Sequence, residues 1–359
     1  MSGPLAGVTV VDLSRILAGP YCTLLMAELG ARVIKVETPK TGDDARAYGP
    51  FLKGKSAYFM SVNRGKESIA LNLKDKGDRA IFEKLLAAAD VIVENFRPGT
   101  MEKLGYGWEQ LHAKYPKLIY AAASGFGHSG PDSLRPAYDM VVQGMGGIMS
   151  ITGTPGGPPV RIGMSIGDIG AGLYTCIGVN SALYHRAQTG EATKVDIGMF
   201  DCQLALLENA ILRYFLSGKP PGPLGVRHPN IAPFEAFDTA DGKIIIAAGN
   251  DSLYAKLMEA LGRAELVKDA VLKTKGMAHW IKVLDEAGVP AGPINNVGQA
   301  IESRQAQARN MVITTEDPVA GTVKLVGNPI KLSGFPDPTT RRPAPELDAD
   351  RESILKSLS

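Results

Sequence analysis

One aspartate sits in a glycine-flanked run, Gly163-Met-Ser-Ile-Gly-Asp168-Ile-Gly-Ala-Gly172, and opens a long apolar stretch that reads as a helix over Asp168–Ala187. Glycine lets a ligand come close to the backbone, because no Cβ stands in the way. A helix N-terminus offers unpaired N–H groups and a positive dipole end to an anion. Asp168 is therefore either a helix cap, a common use of aspartate, or a carboxylate that meets a ligand. Six cations (Arg46, Arg64, Lys66, Lys74, Arg97 and Lys103) fall in or near loops that end strands or precede helices. Each alone reads as solvated surface charge. Together they suit a multiply phosphorylated ligand gathered at the carboxyl ends of the strands.

Other chemistries find less support. Gly125-Phe-Gly-His-Ser-Gly130 matches G-x-G-x-x-G, but it runs on into the loop Pro131–Pro136 rather than opening a helix, which excludes a dinucleotide fingerprint. Gly153–Pro159 has no following Gly-Lys-Ser/Thr and is no P-loop. His128, His185 and His228 have no nucleophile at a supporting spacing, His185 reads as structural, and Cys176, mid-helix, reads as core. Cys22, Cys176 and Cys202 make neither a disulfide framework nor a zinc site, so a reducing compartment is expected.

The elements that must position these residues follow from hydrophobic period. Strands are expected at Val8–Leu13, Val33–Glu37, Ser68–Leu73, Val91–Glu94, Leu118–Ala122 and Lys194–Ile197. Helices are expected at Gly19–Glu28, Asp75–Ala89 and Phe200–Leu216. This alternation predicts an α/β fold with a Rossmann-like parallel sheet. Residues 1–216 form the large domain, and a Gly/Pro-rich linker runs to 228. A small α+β domain over 229–325 starts with a hairpin at Phe234–Thr239 and Lys243–Ala248. Residues 326–359 return to the large domain. The 359 residues carry 39 Lys and Arg against 37 Asp and Glu, a net charge of +2, which favours neither nucleic acid nor a membrane surface as partner. With no signal-peptide pattern and no apolar run long enough to span a bilayer, a cytoplasmic enzyme acting on an anionic ligand is expected.

The motifs add a family. Asp12-Leu-Ser-Arg-Ile-Leu-Ala-Gly-Pro20, Leu29-Gly-Ala-Arg-Val-Ile-Lys-Val-Glu37, Asn63-Arg-Gly-Lys66, Leu71-Asn-Leu-Lys74, Glu94-Asn-Phe-Arg-Pro-Gly99, Gly167-Asp168 and Gly288-Val-Pro-Ala-Gly-Pro293 occur in order along nearly the whole chain. In this the chain resembles the class III CoA-transferases, a family that includes formyl-CoA transferase, carnitine CoA-transferase and the α-methylacyl-CoA racemases. The resemblance implies two subunits threaded as interlocked rings, hence a homodimer, with acyl-CoA and a carboxylic acid as substrates and no tightly bound cofactor or metal. It makes Asp168 the nucleophile. It places CoA against Ile16, Leu17, Leu71, Asn72, Leu73, Lys74, Asn95, Phe96, Arg97, Lys103, Pro136, Ala137, Tyr138 and Asp139. Thr38 and Lys103 stand where formyl-CoA transferase has arginines, the glycine loop of that enzyme has no counterpart near Ala247–Asn250, and the chain looks short between Leu266 and Lys275.

Family racemases carry a histidine where this chain has Tyr138, and an unperturbed tyrosine, with a pKa of about 10, is a poor base at neutral pH. The expected activity is therefore CoA transfer through an aspartyl anhydride and an aspartyl-CoA thioester. Racemization and non-catalytic CoA binding are the alternatives. The segments Gly42–Pro50 and Pro159–Gly163 look closest to relatives acting on dicarboxylates such as succinate and glutarate. Arg46, Tyr48 and Arg161 are the candidate partners of the acid, an arginine meeting the second carboxylate bidentately or, equally, holding its own loop.

Overall fold

Six short apolar runs of this chain pair side by side, all parallel, in a computed structural model that describes residues 3–262 and 269–358. They are β1 (Thr9–Asp12), β2 (Arg32–Glu37), β3 (Glu67–Ala70), β4 (Val91–Glu94), β5 (Ile119–Ser124) and β6 (Lys194–Gly198). Their order is β3-β2-β1-β4-β5-β6. β1 pairs with both β2 and β4, so the order reverses there. The loops after two such strands diverge and leave a crevice beyond their carboxyl ends, where ligands of open α/β sheets bind. The stretch expected to be short, Leu266–Lys275, lies partly outside the described residues.

Strands buried on both faces read as unbroken apolar runs. Val11 and Ile34 face one core with Phe82, Leu85 and Leu86 of α3, while Val10 and Val33 face another with Cys22, Met26, Cys176 and Val179. Among the helices that cover the sheet or border its carboxyl edge are α1 (Ala18–Glu28), α2 (Ala57–Asn63), α3 (Lys76–Ala88), α4 (Asp139–Met145), α5 (Ile166–Thr189) and α6 (Met199–Leu206). The single helix expected over Phe200–Leu216 is in fact two. Glu208 takes a φ of +53°, which no helix can continue through, and α7 (Asn209–Ser217) restarts beyond it.

The chain divides into two compact units, and neither is a single sequence segment. One comprises the chain up to Ile148, Arg161–Leu212 and Gln305 onward; the other comprises Met149–Val160 and Arg213–Arg304. The return to the first unit thus begins at Gln305 rather than at 326, because β10 (Val312–Asp317) and β11 (Gly321–Val326) pair within that unit, beside β12 (Thr340–Arg341). The second unit carries an antiparallel sheet of β7 (Phe234–Asp238), β8 (Lys243–Ala247) and β9 (Ala291–Pro293). In the first unit the C-terminal segment closes the β3 edge. Asp348 accepts from Ala70 N at 2.7 Å, Asp350 accepts from Ser68 N at 2.9 Å, and Ile354 enters the core. Exposed edge strands invite pairing with other chains, and this cap removes that hazard. No helix among the described residues is long and apolar enough to cross a membrane.

Candidate active site

At the sheet reversal, the loop after β1 is held by nearly every polar group it has. Asp12 accepts from Ser14 N, and Lys35 donates to Ser14 O at 2.7 Å. The Asn95 side chain, just past β4, accepts from Arg15 N at 2.7 Å and donates to Arg15 O at 2.8 Å. Asp43 accepts from Ile16 N at 3.0 Å. These bonds hold Ile16 at φ +68°, a left-handed conformation that is a true outlier for a β-branched residue. Gly19 is obligatory for the same turn, since a Cβ there would lie 2.2 Å from that of Ser14.

Two cavities of about 300 and 380 Å³ open on either side of this loop and share Arg15 and Phe96. The first is lined by Thr38, Leu71, Asn72, Leu73 and Lys74, and the second by Ile16, Asn95, Arg97, Ala137, Tyr138 and Asp168. Most of the residues implied to hold CoA thus come together from four separate segments. Leu17 does not join them: it is buried as the residue before α1. Lys103 is exposed and lines neither cavity.

Asp168 is not the helix cap. Ser165 holds that position, and Asp168 is the third residue of α5, half-buried, with no hydrogen-bond partner among the described residues. Burial, with the charge of Asp139 nearby, pushes its carboxyl up to about 7. Asp139 lies behind the cavity, accepting from Gly167 N at 2.8 Å and from Gln143 at 2.9 Å, while Gln143 accepts from Ile162 N. α4 therefore fixes the start of α5. Gly163 has open space around it, but the glycines within α5 serve packing. A Cβ on Gly167 would lie 2.7 Å from Val142 Cγ2, one on Gly172 2.7 Å from Ala18 O, and one on Gly178 2.6 Å from Val195 Cγ1.

The remaining cations separate cleanly. Arg64 and Lys66 are neither surface charges nor phosphate ligands, being buried against Glu28 and Asp12. Arg46 grips Glu37 through two bonds of 2.7 Å, donates to Pro345 O and lies 3.8 Å over the Phe59 ring, so it holds its loop. Arg161 is exposed and donates to the carbonyls of Ile162 and Gly163 in its own loop. Tyr48 packs edge-on against Tyr58 of α2. Tyr58 is near enough to Asp168 that burial first, and then that charge, push its hydroxyl up to about 12, keeping it a donor.

Sequence reasoning missed Arg15 and Arg135, which line the Asp168 cavity. Arg15 pairs at 3.2 Å with Asp44, both about half exposed, and Arg135 with Asp132. The position of Arg15, two residues beyond the leucine after the first strand, was the available signal. It is the place where a doubly wound sheet binds its ligand.

A family model described as CoA-transferase family III matches residues 5–351. The chain is 44% identical to the acetyl-CoA:oxalate CoA-transferase of Acetobacter aceti, over 99% of this chain and 96% of that protein. It is 37% identical to the succinate–glutarate CoA-transferase of Agrobacterium fabrum, with the same two coverages. Among solved structures it resembles a CAIB/BAIF family protein from Brucella suis, with a TM-score of 0.87, 39% identity and 100% of both chains covered.

Proposed function

The chain belongs to CoA-transferase family III and is a CoA-transferase, and from that premise we propose that Asp168 carries the acyl group and then CoA between an acyl-CoA donor and a dicarboxylic acid. The observation that bears most weight is a half-buried carboxylate without a partner among the described residues, at the wall of a cleft placed at the sheet reversal. An Asp168 oxygen attacks the donor thioester carbonyl and expels CoA thiolate, giving a mixed anhydride. The thiolate attacks the aspartyl carbonyl of that anhydride, which releases the donor acid and leaves an aspartyl-CoA thioester. The acceptor carboxylate then attacks the thioester and expels the thiolate. Attack of the thiolate on the acceptor's acyl carbon yields the new acyl-CoA and frees Asp168. One difficult exchange becomes several easier ones.

A carboxyl titrating at about 7 is a stronger nucleophile, once ionised, than an ordinary aspartate, yet it is substantially ionised at neutral pH. The Tyr58 hydroxyl is the nearby donor for developing oxyanions. Succinyl-CoA is the proposed donor, and a dicarboxylate such as glutarate or oxalate the acceptor, in keeping with what the relatives are named for. The acid's second carboxylate is assigned to Arg15, because Arg46 and Arg161 are bonded within their own loops. The racemase alternative is disfavoured by Tyr138, which occupies the cleft where a histidine base is needed.

Incubation with succinyl-CoA, a quench and peptide mass spectrometry should find CoA or trapped hydroxylamine on Asp168. Deuterium uptake at the α-carbon of a branched acyl-CoA with no such adduct would replace this reading by racemization. We further propose an interlocked homodimer. Leu173, Ile177 and Tyr184 form an exposed apolar stripe along α5, opposite its buried face, and a second copy would cover it. Light scattering should give twice the 38.1 kDa of the chain, and a monomeric mass at micromolar concentration would reject the dimer.

A further inference from the structure

Behind the Asn95–Arg97 turn lies a buried carboxylate that the transfer reaction does not use. Glu94 ends β4, and its Oε2 accepts from Phe96 N at 2.7 Å while Oε1 accepts from the Tyr120 hydroxyl at 3.0 Å. On the far side is His128. Lys194 Nζ lies 3.1 Å from His128 Nδ1, and an ammonium can only donate, so the ring proton sits on Nε2. That Nε2 is buried without a hydrogen-bond partner among the described residues and faces Glu94 Oε1 at 3.6 Å, too long for a hydrogen bond but within reach of its charge.

We propose that Glu94 is a positioning residue for acyl-CoA: through the Phe96 N–H it fixes the turn whose side chains line both cavities. The inference rests on the reading above, in which acyl-CoA occupies those cavities. The linkage is short. Glu94 sets Phe96, whose ring underlies Arg15 at 5.5 Å, and the adjoining Asn95 amide clamps both backbone groups of Arg15 and so the strained Ile16 beyond it. A carboxylate is used here because a bond from N–H to an ionised acceptor is roughly twice as strong as one to a neutral acceptor.

The same arrangement makes acyl-CoA affinity depend on pH. Burial, with Glu102 adding to it, lifts the Glu94 carboxyl to about 7, against the Phe96 N–H, the Tyr120 hydroxyl and Lys194. The charged and titratable groups around it are thus Tyr120, Glu102, His128 and Lys194, with Asp196 behind His128. Burial, then Lys194, push His128 below its ordinary range. As pH falls through about 7, Glu94 gains a proton and its hold on the turn weakens to that of a neutral acceptor.

The test is calorimetric titration of CoA into Asp168→Ala protein, which removes the titration of Asp168, with and without Glu94→Gln, from pH 5.5 to 8.5. The ratio of the two dissociation constants cancels the titration of CoA's own phosphates. It should be about tenfold at pH 8.5 and fall toward one at pH 5.5. A ratio near one throughout, or one independent of pH, overturns the proposal while leaving the Asp168 adduct intact. Absence of CoA binding to the Asp168→Ala parent, with no adduct on the wild type, overturns the functional reading itself and the inference with it. Should Glu94→Gln not fold, Tyr120→Phe removes one bond to the carboxylate. It should move the midpoint of CoA binding to higher pH, and an unmoved midpoint overturns the proposal.

Discussion

The two sides of the sheet reversal bury carboxylates in opposite ways. Beside β1 and β2, each has a cation. Burial alone would raise Asp12, but Lys66 and Lys35, aided by the Ser14 and Thr23 hydroxyls, outweigh it and hold it at about 2. Glu37 is held below its usual range by Arg46 and Asp43 by Lys35, each against its own burial. Beyond the reversal, Glu94 and Asp168 have no lysine or arginine within ion-pair distance among the described residues, and both are pushed up to about 7. One side is a scaffold whose carboxylates keep their charge at neutral pH, although burial brings the Lys66 ammonium beside them down to about 8. On the other side, charge changes near neutral pH, and that is the side where a nucleophile and a proton-sensitive support are of use.

Exchanging the chemistry of one group on each side should give the largest effects. Asp168→Asn keeps the shape and removes the nucleophile, so turnover should fall by at least about 10³-fold in a coupled transferase assay. The same variant should be more stable than the wild type at high pH. Asp168 titrates at about 7 in the fold and near its ordinary 3.8 when unfolded. Between those values the native state holds a proton that the unfolded chain has lost, so stability from this group falls as pH rises from 4 to 7 and stays low above. Melting at pH 8 should therefore rise by a few degrees in Asp168→Asn, with the gain vanishing near pH 4. A constant gain across pH would contradict the assignment. Asp12 runs the other way: its stabilisation is present above about pH 4 and is lost as pH falls through about 2.

Lys66 tests the scaffold side. Its ammonium lies 2.8–3.1 Å from oxygens of Asp12, Pro20, Thr23 and Asn63, which share its three hydrogens. Lys66→Met leaves Asp12 buried with one partner fewer and should cost about 3–5 kcal/mol in urea unfolding. A loss below about 1 kcal/mol would mean that Lys35 alone neutralises the cluster.

The alternation of apolar runs made the parallel sheet legible, because buried parallel strands leave a strong pattern in sequence. That motif residues at 16, 72, 96 and 138 gather around the loop after β1, where the strand order reverses, was also legible. The partners of individual charges were not legible. Nothing in the local sequence around Lys66 shows that it lies within 3.0 Å of Asp12, 54 residues away, nor that Arg46 meets Glu37 instead of a ligand. The glycines around Asp168 were legible as required but not for their reason, because helix packing and ligand approach both select glycine. The split at Glu208 and the early return at Gln305 depend on a backbone angle and on strand pairing that hydrophobic period does not encode.

The finest distinction lies between two arginines 31 residues apart. Arg46 is mostly buried, with its fork on Glu37, so Arg46→Met should weaken folding and leave the preference among acids unchanged. Arg15 lies over the Phe96 ring and, among the described residues, has its ion pair with Asp44, which is about half exposed on both sides. Pairs of this kind are worth about 0–1 kcal/mol, so an incoming carboxylate can displace Asp44 at little cost. Arg15→Met should thus leave unfolding within about 0.5 kcal/mol of the wild type while raising KM for a dicarboxylate about three- to tenfold. KM for a monocarboxylate of similar length should not move. If both acids lose equally, Arg15 serves CoA, and the second carboxylate belongs to Arg135, the other newly located arginine of the cleft.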